Sequence, residues 1–179
     1  TNAADSWIIC TKLMKEQPST PVSLRNSWDG HLRELRSESV FALLLHRADD
    51  VLDDDVRTFC RTMKNESRTR HLGASVYSPE EARRAIENGF GDVLEIPLNA
   101  FSFPRWERLS GAFGASFIVA RSVFLQGVLL CDAASLPESV QHLSEHVLRF
   151  GSVCSSHGFS PLEGAFAVVG SFPWVSAVT

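Results

Sequence analysis

Six short apolar runs alternate along this chain with longer stretches in which apolar side chains recur every three or four residues. The runs are "WIICTK" (Trp7 to Lys12), "VFALLLH" (Val40 to His46), "HLGASV" (His71 to Val76), "VLEIPL" (Val93 to Leu98), "FIVAR" (Phe117 to Arg121) and "VSAVT" (Val175 to Thr179). Their length and their Ile, Val, Leu and Phe content predict strands. Between them, "SLRNSWDGHLRELR" sets Leu24, Trp28, Leu32 and Leu35 on one helical face. "SPEEARRAIENG" carries its own punctuation, with Ser78 as N-cap, Pro79 at the first helical position and Gly89 past the end. "LPESVQHLSEHVLRFGSVCSSHG" and "SPLEGAFAVVGSF" predict the remaining helices, the second again opening on Ser then Pro. Strands alternating with helices of this length predict parallel strands joined by crossover helices, an α/β fold.

The strands are apolar almost throughout, so both faces of the sheet are covered. That leaves two architectures open, a doubly wound open sheet and a closed barrel. Six strands are fewer than the eight of a (β/α)8 barrel, whose usual length is about 250 residues. A barrel reading therefore implies a piece of one, a single domain over residues 1–179 that is incomplete at both ends.

Composition narrows the function classes. With 179 residues, 44% of them hydrophobic, and a formal charge of -4 spread over both signs, the chain reads as one soluble globular unit with no field that favours nucleic acid or an anionic membrane. No apolar run reaches the roughly twenty residues of a membrane helix, and "TNAADSW" resembles no signal peptide. Cys10, Cys60, Cys131 and Cys154 are far apart and lack Cys-x-x-Cys spacing, which predicts reduced thiols in a cytoplasmic compartment. The oligomeric state is not legible.

Candidate chemistry sits where apolar strands end in polar residues. In a parallel barrel the site gathers at the carboxyl ends of the strands, and here "ICTK" ends on Lys12, "LLLH" on His46 and "GAS" on Ser75. Any one of these alone reads as a solvated strand end. A lysine and a histidine closing successive strands instead suit proton donation to a carbonyl under reduction, since an ammonium lowers the pKa of a nearby phenol and an imidazole orients a carbonyl. The other clusters carry less. His142, Glu145 and His146 share a helix without a third ligand nearby, so no metal is assigned. The run Asp49, Asp50, Asp53, Asp54 and Asp55 reads as a loop leading into a helix N-terminus, where acidic residues favour the dipole. "GFG" at 89–91 and "GAFG" at 111–114 precede strands and read as turns, not phosphate loops.

Taken in order, "TK", "SLRNSWDGHLRELRSESVFALLLHRADD", "RHLGASVYSPEEARRAIENG", "DVLEIPLNAF", "ARSVFLQGVLL" and "GFSPLEGAFAVVGSFPWVSAV" resemble consecutive blocks of the aldo-keto reductase family, from about its third strand to its eighth. The resemblance implies a partial (β/α)8 barrel and NADPH-dependent reduction of a small-molecule aldehyde or ketone. By position, Lys12 and His46 resemble the family's catalytic lysine and histidine. Ser75 resembles the serine that holds the nicotinamide carboxamide, with Val76 where an Asn usually follows. Glu95 stands where the family often has a carboxamide-binding Gln, and Arg121 where many members stack a Tyr on the nicotinamide. The family's catalytic Asp and Tyr belong to a strand before these blocks and its adenosine-phosphate loop follows them; Tyr77 is the one tyrosine here. A second reading is a non-catalytic barrel serving as a binding or regulatory subunit, because fold does not fix function. A phosphosugar-isomerase reading would need a glycine-rich phosphate loop after a late strand, which the sequence does not show.

Overall fold

A computed structural model describes residues 8–14 and 20–179; Trp7, at the start of the first predicted strand, lies outside them. The strands are β1 (Cys10–Leu13), β2 (Val40–Leu45), β3 (Thr69–Ser75), β4 (Val93–Pro97), β5 (Phe117–Arg121) and β6 (Ala177–Val178). They form one sheet in the order β1-β2-β3-β4-β5-β6. The ladders β1 to β2, β2 to β3, β3 to β4 and β5 to β6 are all parallel. A doubly wound sheet reverses its strand order at a switch point, whereas here each strand is laid beside its predecessor, as in a barrel wall. The strand order thus settles which of the two architectures the sequence describes.

The helices are α1 (Pro21–Glu34), α2 (Asp54–Asn65), α3 (Pro79–Glu87), α4 (Phe103–Glu107), α5 (Ser110–Phe113), α6 (Ser144–Ser156) and α7 (Pro161–Gly170). The chain divides into two compact units, Thr1–Ile96 with Ala112–Ile118, and Pro97–Gly111 with Val119–Thr179.

In the first unit, α1 starts where Thr20 and Ser23 form a reciprocal cap ahead of Pro21, and it buries Leu24, Trp28 and Leu32. Leu35, expected on that face, is instead the C-cap and exposed, because the helix ends one residue before it. The acidic run does what its placement implies. Asp53 caps α2 by accepting from the backbone N–H groups of Asp55 and Val56, Asp54 pairs with Arg57, and Asp49 pairs with Arg84. α3 begins at Pro79 under the Ser78 cap, and Gly89 then takes φ +84 to turn the chain into β4.

In the second unit, "LPESVQHLSEHVLRFGSVCSSHG" is not one helix. Glu138–Leu143 winds as a 3₁₀ turn and α6 begins only at Ser144. Pro137 immediately precedes this turn, and a proline fixes the chain at such a start without supplying a side-chain cap. α7 has the full Ser160–Glu163 capping box with Pro161 at its first position. "GAFG" contributes to the one-turn α5 rather than to a simple turn, and β6 is two residues long where five were expected. Among the described residues no helix is long and apolar enough to cross a membrane.

All four cysteines are free thiols, Cys10 and Cys131 exposed and Cys60 and Cys154 buried. Burial, with a smaller effect of Asp50, pushes the Cys60 thiol up to about 12. Burial and then the Glu95 carboxylate also push Cys10 up, although the residue as a whole is exposed. The thiolate is the reactive form. Ellman's reagent on the native protein should therefore label Cys131 first, Cys10 more slowly, and Cys60 and Cys154 only after denaturation. Rapid native labelling of Cys60 would contradict this placement of α2.

Candidate functional site

Parallel register decides which side chains share a face. Lys12 lies beside Leu44, Leu44 beside Gly73 and Gly73 beside Val93, so these four form one row across β1 to β4. Successive side chains alternate between faces, and residues two further along each strand return to the same one. His46, Ser75 and Glu95 are those residues, with Ser75 and Glu95 themselves in register. β2 ends at Leu45, yet the His46 N–H still donates to the Leu13 carbonyl at 3.1 Å and so carries the ladder one residue on. Lys12 is the penultimate residue of β1 rather than its last.

The strand ends converge on a carboxylate. Glu95 is buried, its Oε2 2.6 Å from Lys12 Nζ and 2.7 Å from the donating Ser75 Oγ. Ser75 is buried as well, while the Lys12 side chain keeps 36% of its surface exposed. Two strands stand between β1 and β4, a distance of about 14 Å across a flat sheet at about 4.8 Å per step. The direct Lys12–Glu95 contact therefore requires this face of the first unit to be concave. A carboxylate in such a place needs a cation and hydrogen bonds to stay ionised, and the ammonium and the hydroxyl supply both. The Val76 N–H donates to the Glu95 carbonyl at 2.9 Å and fixes β3 to β4 at this level.

His46 is half-buried, and its imidazole makes no hydrogen bond to another described residue, which leaves both nitrogens to a ligand. Tyr77 is exposed and anchored through its backbone N–H to Glu81 Oε2 at 2.6 Å. The structure thus brings together Lys12, Ser75 and Glu95, with His46 in the same row. Arg121 belongs to the second unit, where it closes β5 half-buried with Nη1 3.5 Å from Ser122 Oγ. The His146 ring packs on Phe101 at a centroid distance of 5.7 Å.

Two features in the second unit are absent from the sequence-based site. Asn99, just past β4, is buried; its Oδ1 accepts from the N–H groups of Phe101 and Ser102, and its Nδ2 donates to the Ser122 carbonyl at 3.3 Å. The segment after β5 then holds three non-glycine residues at positive φ, Ser122 (58), Leu125 (50) and Gln126 (54). Left-handed backbone at non-glycine residues stores strain, and it clusters at functional sites. The sequence signal for the first was an Asn closing the apolar run of "EIPLN"; the strained loop has none, because its side chains are ordinary.

No protein-family model matches the chain. No curated protein matches it either. Solved structures do. Two assigned as aldo-keto reductases from Pseudomonas aeruginosa each cover 99% of the chain, with TM-scores of 0.68 and 0.66 at 16% and 18% identity, and the chain covers 63% and 62% of theirs. A glycerol dehydrogenase from Gluconobacter oxydans covers 94% at a TM-score of 0.68 and 18% identity, with 61% of its own length matched. The chain spans about three fifths of the length of these structures, and it has their fold, part of a parallel α/β barrel.

Proposed function

We propose that the first unit carries the carboxamide- and carbonyl-binding end of an NADPH-dependent reductase acting on an aldehyde or ketone. The observation that supports this most is the convergence of Lys12 and Ser75 on buried Glu95, in the face and at the strand ends where His46 also lies. A nicotinamide carboxamide needs an acceptor for its NH2 and a donor for its carbonyl. Glu95 offers acceptor oxygens and Ser75 a hydroxyl, so the donor set present fits that group.

NADPH, when bound, supplies the hydride that goes to the carbonyl carbon of the substrate. The chain's own residues attend to the oxygen. The His46 imidazole donates a hydrogen bond that orients the carbonyl, and the Lys12 ammonium stabilises the negative charge that develops there. Glu95 holds Lys12 in place through the ion pair, and its burial keeps the pair short.

Reduced nicotinamide mononucleotide reads the carboxamide end without the adenosine half. Saturation-transfer NMR should show it bound to the wild type, with Ser75→Ala and Glu95→Ala each weakening binding about tenfold, as expected for loss of a hydrogen bond in a buried site. Consumption of NADPH with benzaldehyde should fall in the same variants. Wild-type binding of the mononucleotide by Ser75→Ala, or none by the wild type, would overturn the proposal.

A further inference from the structure

The second unit contains a cavity of about 580 Å³ that has no part in the strand-end chemistry. Its walls follow from the spacing of two helices. α6 turns His146, Arg149, Phe150, Val153 and Cys154 toward it, a single face at intervals of three and four. α7 answers with Gly164, Ala167, Val168 and Ser171 at the same intervals. Three of these four are too small to fill the space opposite two phenylalanines. A Cβ at Gly164 would lie 2.3 Å from Cys154 Sγ, so the helices touch at that point and diverge beyond it. Phe101 and Phe159 complete the lining, with Phe101 edge-on to Phe150 at 6.4 Å.

The polar groups of the lining have one sign. Arg149 is exposed at the rim and forms no ion pair among the described residues, the His146 and His157 rings stand nearby, and the lining contains no carboxylate. His157 Nδ1 lies 2.9 Å from the Val153 carbonyl, which places its proton there and leaves Nε2 outward. Ligand sites are commonly concave and apolar, with a few polar groups that fix orientation, and typically occupy about 300–1,000 Å³. Aromatic walls with a guanidinium at the mouth match a flat apolar body bearing one negative charge.

We infer that this cavity is a binding site for an aryl carboxylate, whose ring enters between Phe101, Phe150 and Val168 and whose carboxylate meets Arg149. Naphthoate is a suitable fluorescent probe, and naphthylmethanol has the same body without the charge. Naphthoate should bind the native protein saturably at one site, with naphthylmethanol weaker. Ala167→Trp fills the cavity from an exposed helix position and should reduce naphthoate binding at least tenfold. Arg149→Gln, also at an exposed position, should weaken naphthoate about three- to tenfold, the range for a partly solvated charge-assisted hydrogen bond, and leave naphthylmethanol unchanged. Circular dichroism verifies that both variants fold. Non-saturable naphthoate binding, equal affinity for the uncharged analogue, or wild-type affinity in either variant would overturn the inference. So would a wild-type dimer that naphthoate does not disturb and that Ala167→Trp converts to monomer, since the groove would then hold a second copy of the chain.

Discussion

Replacing Lys12 with Met should lower single-turnover reduction of an aldehyde by on the order of a hundredfold or more while NADPH affinity changes little, the signature of a group acting on the chemical step. The ammonium is 2.6 Å from Glu95, so the substitution also leaves a buried carboxylate without its cation. Removing one partner of a buried polar pair costs about 1–3 kcal/mol, and Lys12, about a third exposed, belongs toward the lower end because water reaches it. Activity and stability therefore fall together in the single variant, and activity alone cannot separate a chemical role from a structural one.

A double substitution separates them. Lys12→Met with Glu95→Gln removes both charges and keeps an acceptor for Ser75, so urea denaturation should show most of the lost stability restored. The reduction rate should stay low, because the cation beside the reacting oxygen is still missing. His46→Ala should lower turnover and raise the apparent KM, since the imidazole orients the carbonyl, without a comparable cost in stability. Recovery of rate in step with stability in the double variant would show that Lys12 only neutralises Glu95. Wild-type rates in both Lys12→Met and His46→Ala would favour a non-catalytic barrel that binds without turning over.

What the sequence disclosed about this fold is what local chemistry determines. Ser78–Pro79 and Ser160–Pro161 mark helix starts because a hydroxyl caps and a proline needs no donor there, and both helices begin as expected. β5 runs from Phe117 to Arg121 as read, bounded by turn residues on both sides. β6 shrinks to Ala177–Val178, because apolar content shows that a segment can be a strand and only a neighbour's register shows how much of it pairs. The candidate site divides along the same line. Lys12, His46 and Ser75 are legible as polar ends to apolar runs. Their meeting at Glu95 is not, since it depends on curvature across four strands that no spacing in the chain encodes. The strained loop after β5 escapes for the converse reason: Ser122, Leu125 and Gln126 are side chains that normally avoid positive φ.

Gly73→Ala should be among the most damaging single substitutions in the first unit, lowering stability by about 3 kcal/mol, the upper part of the range for overpacking. A Cβ at this position would lie 2.0 Å from the Val93 carbonyl oxygen and 2.6 Å from Leu44 Cδ2. Leu44 can rotate, but the carbonyl is backbone, so relief requires β3 and β4 to part at the residue pair directly preceding Ser75 and Glu95. The damage should extend to the site, with reduced nicotinamide mononucleotide binding weakened in the fraction that remains folded. Gly30 provides the contrast. It lies within α1 with nothing inside 4 Å of a built Cβ, so Gly30→Ala should stabilise by about 0.5–1 kcal/mol through helix propensity alone. Urea midpoints of the two variants measure the difference. If Gly73→Ala unfolds at the wild-type midpoint, β3 and β4 are not paired in this register and the Ser75–Glu95 contact falls with it.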